Sequence, residues 1–328
     1  MTDDTNSLQL DSPRWRAGLG ALTFERTFAD LADKARKNFD LVEGGIRTVA
    51  RSPQAWLRLI RNLSRDPLGN ALFSAACALA RRSLPAGALE RYALLHAAMA
   101  VAPRVQALPV HPWIKKRYAA VVAEIIDTPP HLCPLLDSER WTFSELAQIV
   151  SLRRFPAGQH NWVVGRAGRS AILRLRLRAS EYPRLLRELL TRYGGMPPVA
   201  SIHLSEWRAR PDLVLKGEGL RSMYRIARTL ELQPWLSGIQ GMSWLHSKEV
   251  GSVSPHLAWL HELYVENGAF TAEMEPANPK LFMRGSTARR ELFARGTFAP
   301  PITVFLWHRD DVLRWAQSHP EYGDEAPR

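Results

Sequence analysis

The chain has 328 residues, of which 46% are hydrophobic and 23% are charged, and this is ordinary usage for a globular protein. Such a composition excludes a collagen-like or disordered chain, and two cysteines exclude a disulfide-stapled scaffold. Its 44 Lys and Arg against 32 Asp and Glu give a net charge of +12 at pH 7. Because a positive surface attracts polyanions, the charge favours a phosphate-bearing partner.

The ends and the cysteines of the chain bear on its compartment. Cys77 and Cys133 have the spacing of neither a metal site nor a redox pair. The acidic residues 1–4 lack the features of a secretory signal, and the longest apolar runs are about half of the ~20 residues that cross a bilayer. We therefore expect a cytoplasmic protein with no transmembrane segment, and the sequence leaves its oligomeric state open.

The N-terminal half has helical periodicity. From Phe24 to about Ile126 the apolar residues recur at three and four positions, and Ser52-Pro53 and Asp66-Pro67 are suitable helix starts. The proline-rich segment 127–134 ends this pattern, because consecutive prolines cannot continue a helix. The sequence predicts a flexible tail over 1–22 and an all-helical domain over 23–135.

The C-terminal half alternates strand and helix patterns. Strands are predicted at 171–178, 199–207, 236–244, 269–275 and 302–307, and helices at 181–193, 220–232, 254–266, 287–294 and 310–318. The fold class is therefore α+β, in which a mixed α/β sheet domain over 136–320 follows the helical domain. A flexible tail is expected over 321–328.

Two local expectations in this half are specific enough to check. Strict alternation in 171–178 predicts a strand with Leu173, Leu175 and Leu177 on one face and arginines on the other. Ser254, followed by Pro255, is expected to cap the helix that starts there.

Two motifs of the C-terminal half resemble the GNAT family of N-acetyltransferases. The segment 215–221, Leu-Lys-Gly-Glu-Gly-Leu-Arg, opens a helix after a strand, as the glycine-bearing loop of that family does. The segment 260–270 is similar to the family's helix end with a tyrosine and a following Gly and Phe. The resemblance implies a GNAT-like fold, in which Gly217, Gly219 and Arg221 hold the pyrophosphate of coenzyme A and Tyr264 lies near the leaving thiolate.

Further candidate residues come from the strand at 236–244 and its surroundings. Glycines within a strand mark a close approach of ligand or backbone, so Gly238, Gln240 and Ser243 are candidates to line a donor site. His246 follows this strand, where a catalytic base can project, and Glu262 is the alternative base. No metal site is expected, since His256 and His261 are five residues apart and about 140° apart on a helix.

These observations predict an acyltransferase that moves an acyl group from a thioester donor to an amine or hydroxyl acceptor. The donor would be acyl-CoA or an acyl carrier used as a co-substrate, with no tightly bound cofactor. One alternative is a nucleic-acid-associated protein, including a transferase that uses an aminoacyl-tRNA, because arginines occur in pairs beside aromatic residues. Another is a non-catalytic interaction protein.

Overall fold

A computed structural model describes residues 88–127, 140–173, 177–204, 215–283 and 286–323. The helices predicted before residue 88, the proline-rich segment 128–139 and the N-terminal tail lie outside the described residues. The chain divides into two compact units, Met1–Pro156 (unit 1) and Ala157–Arg328 (unit 2). This division falls later than the predicted boundary after residue 135, because the helix at 140–150 packs on the preceding helices.

The described part of unit 1 is mostly helical, and its elements are α1 (Ala88–Val105), α2 (Pro112–Asp127), α3 (Arg140–Val150) and the two-residue strand β1 (Phe155–Pro156). Proline begins α2, where its missing N–H costs nothing. The helices bury apolar side chains such as Val101 and Ile149, and the Tyr118 hydroxyl donates to the Val150 carbonyl at 3.0 Å.

Unit 2 alternates strands and helices. Its strands are β2 (His160–Arg166), β3 (Pro198–Leu204), β4 (Gly238–Ser243), β5 (Phe270–Pro276) and β6 (Pro301–His308). Its α-helices are α4 (Arg169–Leu173), α5 (Glu181–Thr191), α6 (Lys216–Leu232), α7 (Lys248–Val253), α8 (Trp259–Glu266), α9 (Pro279–Phe282), α10 (Thr287–Ala294) and α11 (Arg309–Ser318). Short 3-10 turns span Trp244–His246, Pro255–Leu257 and Pro320–Tyr322. The predicted α+β class is confirmed.

The strands of unit 2 lie in the order β2-β3-β4-β6-β5. The β3–β4 pair is parallel, whereas β2–β3, β4–β6 and β5–β6 are antiparallel. Parallel neighbours need a crossover, and here it is provided by α6. The order strand, helix, strand, helix, strand from β3 to β5 is the one expected from the GNAT resemblance, which is weak and partial.

The sheet of unit 2 separates two buried layers. One face carries Val199 and Leu306 and packs against Leu185 and Leu189 of α5, and we refer to it as the α5 face. Because successive side chains along a strand point to opposite faces, the strand residues adjacent in sequence to those of the α5 face belong to the other face. This other face carries Trp162, Ile202, Ile239, Phe305 and Trp307. Helices α6, α8 and α11 lie over this second face, which we refer to as the α6–α8 face.

Two predictions about unit 2 are wrong. The segment predicted as a strand over 171–178 begins as helix α4, with Ala171 buried and Leu173 66% exposed. Residues 174–176 lie outside the described residues. Beyond them Leu177 forms an isolated bridge to Met274 of β5, and the Arg178 N–H donates to the Glu273 carbonyl at 3.2 Å, so the described residues of this segment form no ladder. Ser254 precedes a 3-10 turn without capping it, because its hydroxyl accepts instead from Nη1 of Arg289 at 2.9 Å.

The remaining predicted elements of unit 2 are present with ends shifted by a few residues. None of the helices in the described parts of the chain combines the length and apolarity needed to cross a bilayer.

Candidate functional site

The parallel pair β3–β4 is joined over only part of its length. The register pairs Ala200 with Ile239 and Ser201 with Gln240, and no further pair follows among the described residues. By contrast, β4 pairs with β6 along its whole length, and β2 with β3 likewise. Residues 203–204 of β3 and 242–243 of β4, which we refer to as the open ends, therefore lie beyond the ladder. In open α/β sheets, ligands bind outside the carboxyl ends of such strands.

The side chain of Gln240 stabilises the last residue pair of the β3–β4 ladder, on the α5 face. Its Nε2 donates to the Ser201 hydroxyl at 2.5 Å, and its Oε1 accepts from the Gly168 N–H at 3.0 Å. Gly165 leaves room for this contact, because a Cβ there would overlap the Ser201 hydroxyl. The side chain of Gln240 is thus occupied in fixing the strands and does not line the described cleft.

The other two candidates on β4 also have local partners. Gly238 has φ +152°, and a side chain there would overlap the backbone of β6 at Trp307. The Ser243 hydroxyl accepts from the Leu245 N–H at 3.2 Å and so turns the chain into the 3-10 segment that carries His246. Gly238 satisfies the expectation of a close backbone approach, and the partner there is the neighbouring strand.

A cleft of about 750 Å³ lies where α6 begins, and its lining residues are Leu215, Lys216, Pro255, His256, Ala258, Trp259 and Glu262. Leu215 is the N-cap of α6 and provides no side-chain hydrogen bond to the helix. The first N–H groups of a helix have no partner within it and carry a partial positive charge. Together with Lys216, they make this rim of the cleft suited to an anion.

Helix α6 begins four residues before its predicted start, so Gly217 and Gly219 lie in its first turn and not in a loop. Gly219 is buried, and a Cβ there would overlap the ring of Trp259, so this glycine lets the indole pack against α6. Gly217 is exposed, and the nearest atom to a Cβ there is Nη2 of Arg221 at 3.8 Å. Arg221 itself forms an ion pair with Glu218 at 2.5 Å.

His246 and Tyr264 come together beneath the α6–α8 face. Their ring centroids are 5.2 Å apart in an edge-to-face arrangement. Tyr264 stacks on Phe305 at 3.6 Å, and His246 meets the same ring edge-on at 5.0 Å. Nδ1 of His246 and the hydroxyl of Tyr264 are buried without a hydrogen-bond partner among the described residues. The structure thus joins two of the three predicted catalytic residues in one aromatic cluster.

Burial decides the protonation states in this cluster. The pKa of His246 is lowered to about 3, mainly by desolvation and to a smaller extent by the charges of His160 and His261. Desolvation also raises the pKa of Tyr264 well above its usual value. At neutral pH the imidazole therefore holds a free lone pair and the phenol keeps its proton.

Glu262 lies apart from this pair. It is exposed and lines the cleft, whereas Tyr264, two residues later on α8, is buried against the sheet. His256 also lines the cleft, while Nδ1 of His261 contacts the His246 carbonyl at 2.9 Å. Throughout the described ranges, no group of three His, Cys, Asp or Glu side chains is arranged to hold a metal ion.

The sequence analysis missed His160 and Trp259. His160 opens β2 opposite Leu204, and both of its ring nitrogens are buried without a partner in the described part of the chain. Trp259 lines the cleft with a buried indole N–H that has no partner there either. No local pattern marks these two residues, because their positions depend on strand register and on the packing of α8 against α6.

Many arginines of unit 2 are already paired with carboxylates. The ion pairs are Arg178–Glu273, Arg184–Glu181, Arg192–Glu188, Arg192–Asp311, Arg221–Glu218, Arg228–Glu231 and Arg314–Asp311. Pairing reduces the positive potential that a nucleic acid would meet. Nothing in this geometry favours the nucleic-acid alternative over a small phosphate-bearing ligand.

Searches against protein-family models and against curated proteins gave no match. Among solved structures, the chain is similar to a mutant acyltransferase in complex with octanoyl-CoA, at 10% identity and a TM-score of 0.41 over 70% of this chain and 69% of the other. It is also similar to an acyltransferase in complex with CoA and 10C-teicoplanin, at 10% identity and a TM-score of 0.38 over 66% and 65% of the two chains. Both overlaps are partial.

Proposed function

We propose that unit 2 transfers an acyl group from a thioester of a phosphate-bearing carrier, such as acyl-CoA, to an amine or hydroxyl acceptor. The observation that carries this proposal is the set of open ends of β3 and β4. Backbone N–H and C=O groups beyond a ladder can bind an extended, amide-bearing ligand as a strand edge does. The pantetheine arm of an acyl carrier has this shape and these groups.

The phosphate end of the donor would occupy the cleft. The uncapped start of α6 and the ammonium group of Lys216 offer positive charge there, and Trp259 and Pro255 offer an apolar floor. Exposed Gly217 permits a close approach to the backbone of the first turn. Cleft and open ends belong to the same unit, at the end of the sheet where α6 begins.

The chemical step then needs one base and one acid. The acceptor nitrogen or oxygen attacks the thioester carbonyl carbon, and the new bond forms as the C–S bond breaks. Backbone N–H groups of β4 stabilise the negative charge that develops on the carbonyl oxygen. Neutral His246 takes the acceptor's proton, and Tyr264 gives its proton to the departing thiolate. The Tyr264 hydroxyl is buried, so this step requires the thioester to enter between the open ends. Glu262 lines the cleft, where its negative charge opposes the phosphates of the donor.

Donor binding is tested by thermal unfolding with a panel of acyl-CoAs. A donor at 100-fold its Kd stabilises the protein by about 2.7 kcal/mol, which raises the Tm. Lys216→Glu should abolish most of this rise, because it reverses the charge at the rim. The matched control is Lys280→Glu on exposed α9, which should leave the rise unchanged. Absence of a rise with every donor contradicts the proposal.

Turnover tests the assigned chemistry. With the best donor and acceptor, His246→Ala and Tyr264→Phe should each lower kcat by about 100-fold, the usual size of a lost general base or acid. Glu262→Gln should lower KM for the donor and leave kcat unchanged, because it removes a negative charge from the cleft that would hold the phosphates. Parental kcat in both His246→Ala and Tyr264→Phe would remove this mechanism, even if the donor still binds.

A further inference from the structure

The described lining of the cleft carries almost no net charge. Lys216 brings one positive charge and Glu262 one negative charge, with His256 counted as neutral at pH 7. Because these two charges cancel, the uncapped start of α6 is what makes the rim favourable to an anion. The partial charge of a helix start is equivalent to about half an elementary charge. The cleft therefore suits a ligand of low negative charge.

The first turn of α6 also contains an anion of its own. Glu218 is the third residue of the helix, where a carboxylate interacts favourably with the helix start. Its Oε1 accepts from Nη2 of Arg221 at 2.5 Å and from Nε of the same guanidinium at 3.2 Å. Arg221, which the GNAT resemblance assigns to the pyrophosphate, is thus paired within its own helix. A phosphate that approaches this turn meets Glu218 as well as Arg221.

The segment that precedes α6 leaves this balance unchanged. Residues 205–214 lie outside the described residues, and their sequence contains two arginines, one glutamate and one aspartate. Their net charge is zero. The cleft and the first turn likewise contribute two cations, Lys216 and Arg221, and two carboxylates, Glu218 and Glu262.

Trp259 supplies an uncharged group that a ligand can use. It lines the cleft, it is 4% exposed, and its indole N–H has no hydrogen-bond partner among the described residues. An indole N–H is a donor only, so it suits a phosphate oxygen. It adds no positive charge to compensate a second or third phosphate.

The charge of a pantetheine donor depends on what carries the arm. CoA holds it on a pyrophosphate and has a further phosphate on its ribose, which together bring about four negative charges at pH 7. An arm that a phosphodiester joins to a carrier protein brings a single negative charge. The helix start, Lys216 and Trp259 suit the single charge, whereas each additional charge is repelled by Glu218 and Glu262.

We infer that the donor site of unit 2 selects a pantetheine thioester held by one phosphodiester, as on an acyl carrier protein, over the more highly charged CoA. Glu218 and Glu262 set this specificity by repelling the additional phosphates. The inference rests on the proposed function and names its donor class. CoA thioesters remain donors, with weaker binding.

Ligands that differ in phosphate charge test this selection without turnover. The probes are pantetheine, the methyl phosphodiester of 4′-phosphopantetheine, dephospho-CoA and CoA, titrated calorimetrically into the full chain at low salt. The phosphodiester should bind at least about threefold more tightly than CoA, with dephospho-CoA between them, and pantetheine should bind more weakly than the phosphodiester. A Kd for CoA at or below that of the phosphodiester, or equal binding of pantetheine and the phosphodiester, would overturn the inference.

Charge variants identify the residues responsible. Glu262→Gln and Glu218→Gln should each strengthen CoA binding by about threefold to tenfold and strengthen phosphodiester binding by less, because each removes a carboxylate that repels the additional phosphates. Glu266→Gln is the matched control: this residue is exposed on α8, one turn beyond Glu262, and it should leave both Kd values unchanged. Equal gains for the two ligands in both cleft variants would refute the specificity role.

Turnover distinguishes this inference from the proposed function. With the same acyl group on each carrier, kcat/KM should be at least about threefold higher for the phosphodiester donor than for acyl-CoA, and the difference should lie in KM. If the phosphodiester binds preferentially but neither donor is turned over, the charge selection stands and the proposed function falls. If both are turned over and acyl-CoA has the higher kcat/KM, the proposed function stands and the inference falls.

Discussion

The two faces of the unit 2 sheet are built differently. The α5 face is an apolar layer of residues such as Leu185, Leu189 and Leu306, in which Gln240 is hydrogen-bonded and the Tyr193 hydroxyl is buried without a described partner. The α6–α8 face is as well buried, and it holds His160, His246 and Tyr264 with unsatisfied polar atoms. Such groups oppose folding, so their greater number on the α6–α8 face indicates that this face is shaped for chemistry more than the α5 face is.

The largest expected effect on stability belongs to the α5 face. Leu185 is fully buried there, and Leu185→Ala should lower the free energy of unfolding by about 2–5 kcal/mol through lost burial and a cavity. At temperatures well below the Tm, kcat should be unchanged. Denaturant unfolding and turnover measure the two quantities. The Leu186 side chain is 48% exposed, so Leu186→Ala should lower the free energy of unfolding by less than about 0.5 kcal/mol. An equal loss in both variants would contradict the assignment of Leu185, and not Leu186, to the buried layer.

An intermediate effect separates the two glycines of α6. Gly219→Ala drives a methyl group into the ring of Trp259 and should destabilise unit 2 by about 1–3 kcal/mol, the usual cost of overpacking. A Cβ at residue 217 would make only an ordinary contact with the end of the Arg221 side chain, at 3.8 Å, and Gly217→Ala gains helix propensity, so its stability should equal or exceed that of the parent. The Tm from thermal unfolding distinguishes the two variants. If Gly217→Ala weakens acyl-CoA binding while remaining stable, the backbone approach proposed for the first turn is supported.

The last expected effect comes from a change of pH and not of sequence, and it belongs to the α6–α8 face. Burial lowers the pKa of His160 to about 4 and that of His246 to about 3, below the value of 6.5 that each recovers on unfolding. The stability that comes from keeping these rings neutral is therefore complete above pH 6.5 and is lost as the pH falls towards 4. Each ring contributes at most about 1.4 kcal/mol per pH unit.

Tm measured from pH 7 to pH 4.5 checks this dependence. The double variant His160→Asn with His246→Asn should flatten the curve, whereas His203→Asn on the exposed side of β3 should follow the parent. A parental slope in the double variant would show that these rings are protonated as readily in the folded chain as in the unfolded one.

Periodicity alone determined much of this protein. Apolar spacing predicted helices where α1 and α2 lie and most elements of unit 2, but not α3, which was assigned to the mixed α/β domain. The candidate residues His246 and Tyr264 came from the end of a predicted strand and from the GNAT resemblance, and the structure brings their rings together. These features are local, since a strand or helix shows its period within a few residues. The alternation at 171–178 misled for the same reason: a strand also needs a partner, and among the described residues of this segment β5 meets the chain only at Leu177 and Arg178.

Tertiary structure decided the rest. The packing of α8 places Glu262 in the cleft and Tyr264 in the core, although both residues lie on this helix. Tertiary structure also ended the β3–β4 ladder at Gln240 and, through the register of β2 against β3, set His160 opposite Leu204 at the end of β3. The net charge of +12 predicted an anionic partner but not where it binds. Many arginines of unit 2 form ion pairs, and the rim of the cleft that suits an anion is made by the uncapped start of α6 and by Lys216. Charge and period are properties of sequence, whereas a site requires residues that only folding brings together.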